Sequence, residues 1–339
     1  MKDKILAIEA LQMPWRTEDP FLFTVHHLDH YPKGNEKMGL DPSQAAGRFL
    51  GQDFSNKNGY SMYHGKVVPG FPYHPHLGFE TITIGKQGFV DHSDSLGGAG
   101  RFGAGDAQWM TAGKGIQHSE MFPLLHTDKP NTLEIFQIWL NLPSQSKLAE
   151  PHYKMLWNES IPKIEEVDTN GKKTTLEIYA GSYKANEAPK PTPDSWAANP
   201  ENGVAIFSVK MEANAEWILP ASLNDQVHNT LYFYNGNTIH LGDTKIDVNH
   251  LVKVLPGKSV QITNGDKVAE FLILQGKPIN EPVALRGPFV MNTDEELNLG
   301  FAEYRKTQFG GWPWPQTEQV FDRAKGRFAK YPDGSSEEK

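Results

Sequence analysis

The stretch His74-Pro75-His76-Leu77-Gly78-Phe79-Glu80-Thr81-Ile82-Thr83-Ile84, read together with Ile116-Gln117-His118-Ser119-Glu120, decides how this chain folds and where its chemistry lies. Thr81–Ile84 is β-branched at every position, which favours extended backbone. In a strand, side chains at i and i+2 point to one face, roughly 6.5 Å apart. His74/His76 and His118/Glu120 both have that spacing. Two such strands side by side can aim imidazole and carboxylate groups at one point about 2 Å from each. Three imidazoles and a carboxylate suit a divalent first-row metal, and a metal that prefers six ligands then keeps open positions for chemistry. Periodicity leaves the carboxylate undecided. Glu80 lies four residues after His76 and passes the same test as Glu120.

Working outward, Gly85-Lys86-Gln87-Gly88 is a turn and Phe89-Val90-Asp91-His92 resumes the extended run, so a hairpin is predicted. His92, with Asp91 and Asp94, reads as loop surface, with a place behind the metal ligands as the alternative. Gly97, Gly98, Gly100, Gly103 and Gly105 mark turns; no Gly-Lys-Ser/Thr follows, so they do not form a phosphate loop. Leu133–Leu142 alternates strongly and predicts a strand. His26, His27 and His30 read as a strand-edge or surface group, with a second metal site as the sharper alternative.

The chain has 339 residues, enough for two domains. Its net charge of −8 and its lack of a long basic run argue against direct nucleic-acid binding. The modest run Arg323–Lys330 reads as a solvated tail. Without cysteine, disulfides, thiolate metal sites and cysteine nucleophiles are excluded. The start, Met1-Lys2-Asp3-Lys4 and then Ile5–Met13 with Glu9 and Gln12 inside it, is too short and polar for a signal peptide or membrane span. A cytoplasmic protein without membrane contact is expected.

In the second half, the Pro-rich segment Ala185–Asp194 reads as a surface loop or linker. Strands are predicted at Val204–Val209, Thr230–Tyr234, Lys253–Leu255, Val260–Ile262 and Phe271–Leu274. Thr230–Tyr234 weakly echoes Thr81–Ile84, and the alignment puts Leu223 and Asp225 where His74 and His76 stand. Thr293–Thr307 predicts a helix, with Thr293 and Glu296 in capping-box positions. Gly310-Gly311-Trp312-Pro313-Trp314-Pro315 breaks it, and the last residues read as disordered.

The segments His74–Thr81 and Gly105–Glu120 closely resemble the pirin family, as does Gly287-Pro288-Phe289-Val290-Met291-Asn292-Thr293. The likeness spans roughly residues 20–306. It implies an all-β fold of two cupin barrels (double-stranded β-helices) with a short C-terminal helix. The implied domains are 1–145 with the metal site, 146–310 without one but with the helix, and 311–339 as a partly disordered extension. It further implies His74, His76, His118 and Glu120 as ligands of one divalent metal. Fe(II) is the first choice, and the donor set also accepts Mn, Ni, Cu or Zn. Glu120 gains a catalytic role as a base, and Glu80 becomes a structural carboxylate. The implied activity is that of a quercetin 2,3-dioxygenase acting on a flavonol such as quercetin with O2. The alternative is a metal- or redox-responsive regulatory protein that binds a protein partner. Two departures stand out: Leu77, where many pirins carry Arg, and the extension Gly310–Lys339.

Overall fold

The computed structural model describes residues 4–339; the leading Met1-Lys2-Asp3, read above as part of a polar start, lies outside the described residues. Strand accounts for 44% of the chain and helix for 10%, which makes the fold all-β. No helix among the described residues is long and apolar enough to cross a membrane.

The chain forms two compact units, and neither is contiguous in sequence. One unit joins residues 4–24 to Glu159–Asn280. Its seven-stranded sheet runs, edge to edge, through Ile5–Ala10, His250–Val254, His228–Asn235, Ala269–Gly276, Ala205–Met211, Lys173–Ala180 and Lys163–Val167. A four-stranded sheet completes it, and alternate residues such as Phe207, Trp217, Leu231, Phe233, Phe271 and Ile273 fill the core. The echo of Thr81–Ile84 holds for the strand, since His228–Asn235 is paired on both sides. It fails for Leu223 and Asp225, which lie in the turn before that strand, with Leu223 exposed.

The other unit joins Val25–Asn158 to Glu281–Lys339. A five-stranded sheet has the order His152–Leu156, Ala107–Thr111, Phe79–Gln87, Asn131–Asn141, Phe21–Tyr31. A six-stranded sheet has the order Ser336–Glu338, Phe328–Lys330, Ala99–Gly103, Phe89–Asp94, Ile116–Met121, Gly70–His76. Val90 and Phe102 from the second sheet meet Leu133, Ile135, Tyr153 and Met155 from the first in one core.

Several expectations are corrected. Phe79–Gln87 and Phe89–Asp94 are both strands but form no hairpin. The first is already paired on both sides, with Ala107–Thr111 and Asn131–Asn141, so it has no edge left. The chain changes sheets at Gly88 (φ +73°), and Phe89–Asp94 pairs instead with Ala99–Gly103 and Ile116–Met121. The boundaries at 145/146 and 310/311 do not match the compact units either. The helix, Asp294–Thr307 with its Thr293/Glu296 capping box, packs with the first-barrel unit, through a cluster of Leu77, Phe289, Met291, Leu297 and Phe309. The Pro-rich segment 185–194 is a loop inside one unit, not a linker between two.

The extension 311–339, expected to be partly disordered, is ordered structure. Phe328–Lys330 pairs with Ala99–Gly103, and Ser336–Glu338 pairs with Phe328–Lys330 in turn. Its anchor is Arg101, only 1% exposed, which forms a bidentate pair with Asp91 (2.7 and 2.8 Å) and donates to the carbonyls of Phe321, Asp322 and Lys325. Nor is the run Arg323–Lys330 a solvated tail: Arg323 donates to the carbonyls of Leu124, Leu125 and Asn35, and Arg327 pairs with Asp106 at 2.7 Å. Composition hid this, because the partners are backbone carbonyls and a buried ion pair rather than an apolar stripe.

Candidate metal centre

The strands Gly70–His76 and Ile116–Met121 are antiparallel neighbours, and their register sets His74 directly opposite His118. A bulge between Phe71 and His74 shifts the pairing, so that Phe71 stands opposite Glu120. The three imidazole rings gather at centroid separations of 4.8 Å (His74–His76), 4.5 Å (His74–His118) and 4.9 Å (His76–His118). One nitrogen from each lies within 4.8 Å of the other two.

The tautomers follow from the partners. His74 Nδ1 lies 3.0 Å from the Pro72 carbonyl and His76 Nδ1 lies 3.3 Å from the Pro288 carbonyl. Carbonyls only accept, so both Nδ1 atoms carry hydrogen and both Nε2 atoms keep a free lone pair. Burial, with neighbouring imidazoles adding to it, holds all three rings well below the ordinary histidine value, His74 at about 4. Neutral imidazole is the form that binds metal. His118 supplies the test of fit. It is fully buried, and neither ring nitrogen has a hydrogen-bond partner among the described residues. A buried orphan of that kind is costly unless something else takes the lone pair.

Glu120 sits at the edge of this group, with Oε2 3.7 Å from His118 Nε2. Burial pushes its carboxyl up, and the Thr83 hydroxyl, 2.9 Å from Oε1, acts in the opposite direction. Thr83 also lies 2.6 Å from the Gln137 amide. Glu80 takes a different course. The chain turns at Gly78, and in Phe79–Gln87 Glu80 falls on the face opposite Thr83. There its Oε1 accepts from Trp109 Nε1 (3.2 Å) and Thr111 Oγ1 (2.7 Å). The shared-face argument that made Glu80 a rival assumed an unbroken strand through Gly78. That residue has φ +81°, and a Cβ there would meet the Val290 carbonyl oxygen at 1.9 Å.

Other residues come out differently from the sequence reading. His92 is not loop surface: it is fully buried beside Asp94 (3.1 Å), stacked on Tyr153 and 5.5 Å from the His118 ring. Leu77 packs into the helix cluster, with its Cδ2 close against Gly300. The trio His26, His27 and His30 does not assemble. His26 pairs with Glu134 at 3.1 Å and stacks on Phe136, while His27 turns to Tyr63. Two residues support the site through contacts that the sequence does not signal, although one of them lies in the family-like segment Gly287–Thr293. Pro288 is 212 positions from the ring that it orients, and the buried Lys147 donates to the Gly78 carbonyl and to Asn141.

A pair of strand-built units, with one histidine cluster suited to metal among the described residues, defines a bicupin. Comparison with known proteins is in line with this. The family profile "Pirin" matches residues 16–140 and "Pirin C-terminal cupin domain" matches 206–310. Pirin-1 of Arabidopsis thaliana is 36% identical over 248 residues, covering 71% of this chain and 78% of the relative. Human pirin is 33% identical, covering 74% and 81%. A Pseudomonas aeruginosa protein provisionally named quercetin 2,3-dioxygenase is 33% identical, covering 71% and 79%. The crystal structure of a quercetin 2,3-dioxygenase from Acinetobacter baumannii superposes with a TM-score of 0.70 at 24% identity, covering 91% of this chain and 98% of that one. The chain belongs to the pirin family.

Proposed function

We propose that this protein is a mononuclear metal-dependent dioxygenase that opens a flavonol such as quercetin with O2. His74, His76, His118 and Glu120 are the metal ligands in this reading. The observation that carries it is the set of three neutral imidazoles, His76 and His118 buried and His74 half-buried, whose donor atoms converge, one of them with no hydrogen-bond partner among the described residues. The Pseudomonas relative's name supports the reaction class. Iron is the first choice of metal, and the same donor set accepts manganese, nickel, copper or zinc.

Bound there, the metal supplies Lewis acidity and a common meeting point for a substrate anion and O2. The chain's own groups do the rest. Glu120 takes the proton of the flavonol 3-hydroxyl; its buried, upward-shifted carboxyl is suited to holding that proton and passing it to product. Thr83 fixes the carboxylate through Oε1 and leaves Oε2 facing the histidines. Both oxygen atoms of O2 enter the products, and the ring opens with loss of one carbon as carbon monoxide.

The test is to load the protein separately with each metal, add quercetin in air and follow the flavonol absorbance. Steady loss with at least one redox-active metal is expected, and Glu120→Gln should slow it by about 100-fold or more. Quercetin that persists with iron, manganese, nickel and copper would overturn the assignment.

A further inference from the structure

A second polar group lies one ring away from His74, and the reaction as described above does not use it. His27 Nδ1 is 2.8 Å from the Tyr63 hydroxyl, which donates at 2.8 Å to Asp29 Oδ2. Asp29 Oδ1 is held by the backbone N–H of Ser61 at 2.8 Å. Tyr63 has one proton and gives it to Asp29, so His27 Nδ1 must donate to the phenol oxygen. That fixes the His27 tautomer and leaves Nε2 as a bare acceptor with no partner among the described residues.

The charges agree with this chain of donors. Burial holds His27 at about 4 and raises Asp29 to about 6. Burial and the Asp29 carboxylate push Tyr63 far above the ordinary phenol range. At neutral pH the imidazole is therefore uncharged, the phenol protonated and the carboxylate ionised.

Tyr63 is held in place at some backbone cost. It has φ +55°, rare for a bulky residue, and its N–H and carbonyl are both bonded to Asp53, which Arg48 grips at 2.7 Å. Its ring stacks on Phe71 at 5.1 Å. Phe71 lies 6.1 Å from His27 and 6.3 Å from His74, and stands opposite Glu120 in the sheet. His64 and Phe54, both exposed, continue the aromatic surface outward. Phe71 thus stands between His27 and His74, one ring contact from each.

We infer that His27 Nε2 is a substrate-recognition atom: it accepts a hydrogen bond from a hydroxyl on the pendant phenyl ring of the flavonol, with Phe71 as the stacking surface and Tyr63–Asp29 as the brace that keeps Nε2 an acceptor. This rests on the flavonol reading and adds a preference to it. Flavonols hydroxylated on the phenyl ring should bind better than those with a bare phenyl.

The experiment measures binding and turnover separately on the metal-loaded full chain, with quercetin and with a flavonol whose phenyl ring is unsubstituted. Binding is read from tryptophan fluorescence without O2, and turnover from absorbance with it. His27→Phe should weaken quercetin binding and raise its KM by about 3- to 10-fold, the size of one lost hydrogen bond, with kcat within about twofold. The unsubstituted flavonol should be unaffected. Tyr63→Phe, which releases the tautomer but keeps the ring, should show the same selectivity at smaller size. Equal effects on both flavonols, or none on either, overturn the inference, as does wild-type protein that binds both equally. Selective binding without turnover would overturn the dioxygenase reading and leave His27's role standing.

Discussion

His74 ties the centre to acid sensitivity. Its folded-state value of about 4 lies below its ordinary 6.5, so between those limits the unfolded chain binds a proton that the folded chain refuses. Stability is therefore intact above 6.5 and is lost as pH falls towards 4, by up to about 3 kcal/mol for this one group. His27 acts in the same window; Asp29, raised to about 6, opposes it between 6 and 3.8. Metal-free protein should show a lower unfolding free energy in urea at pH 5 than at pH 7, and His74→Phe should flatten that slope; identical slopes would contradict the assignment. Leu77 makes a second prediction. Because it packs against Phe289 and Gly300, Leu77→Arg should destabilise the unit by about 2–4 kcal/mol, measured by thermal or urea unfolding, rather than retune the metal. At this scale the i, i+2 spacing made the three histidines legible. The carboxylate was not, because a glycine with positive φ breaks the alternation that made Glu80 look equivalent to Glu120. The sequence groups His27 with His26 and His30, and its actual partners, Tyr63 and Asp29, meet only in three dimensions.

Among the elements, the two ligand strands matter most, and what surrounds them was least visible in advance. The C-terminal segment adds two strands to the sheet that carries all four proposed ligands, and Arg101 ties it down. Arg101→Met leaves the Asp91 carboxylate buried with, among the described residues, only the Phe321 N–H to satisfy it. Breaking such a pair costs about 3–5 kcal/mol, so a matching drop in unfolding free energy is expected, and a change below about 1 kcal/mol would contradict the anchoring role. Strand positions were readable from β-branched and alternating runs. Strand partners were not: Phe79–Gln87 and Phe89–Asp94 looked like a hairpin, and only knowing that the first has two other partners shows why they separate. The helix was legible to its cap because a capping box is local; that Leu77, more than 200 residues before it in the chain, packs there was not.

For the whole molecule, the all-β reading and the pair of barrels came through from strand-rich composition and the family likeness, while the unit boundaries did not. Residues 4–24 complete the unit built from 159–280, and 281–339 complete the one built from 25–158. Composition shifts along a chain do not reveal such exchanges, since a strand's sequence does not say which sheet it joins. Among the described residues, the histidine cluster occurs in one unit, so the metal stoichiometry of the intact protein is the most direct check on the account. Elemental analysis of the full chain, purified without added metal and then loaded and desalted, should give about one equivalent of divalent metal per chain and almost none in His118→Ala. Two equivalents, none, or full retention by His118→Ala would contradict it.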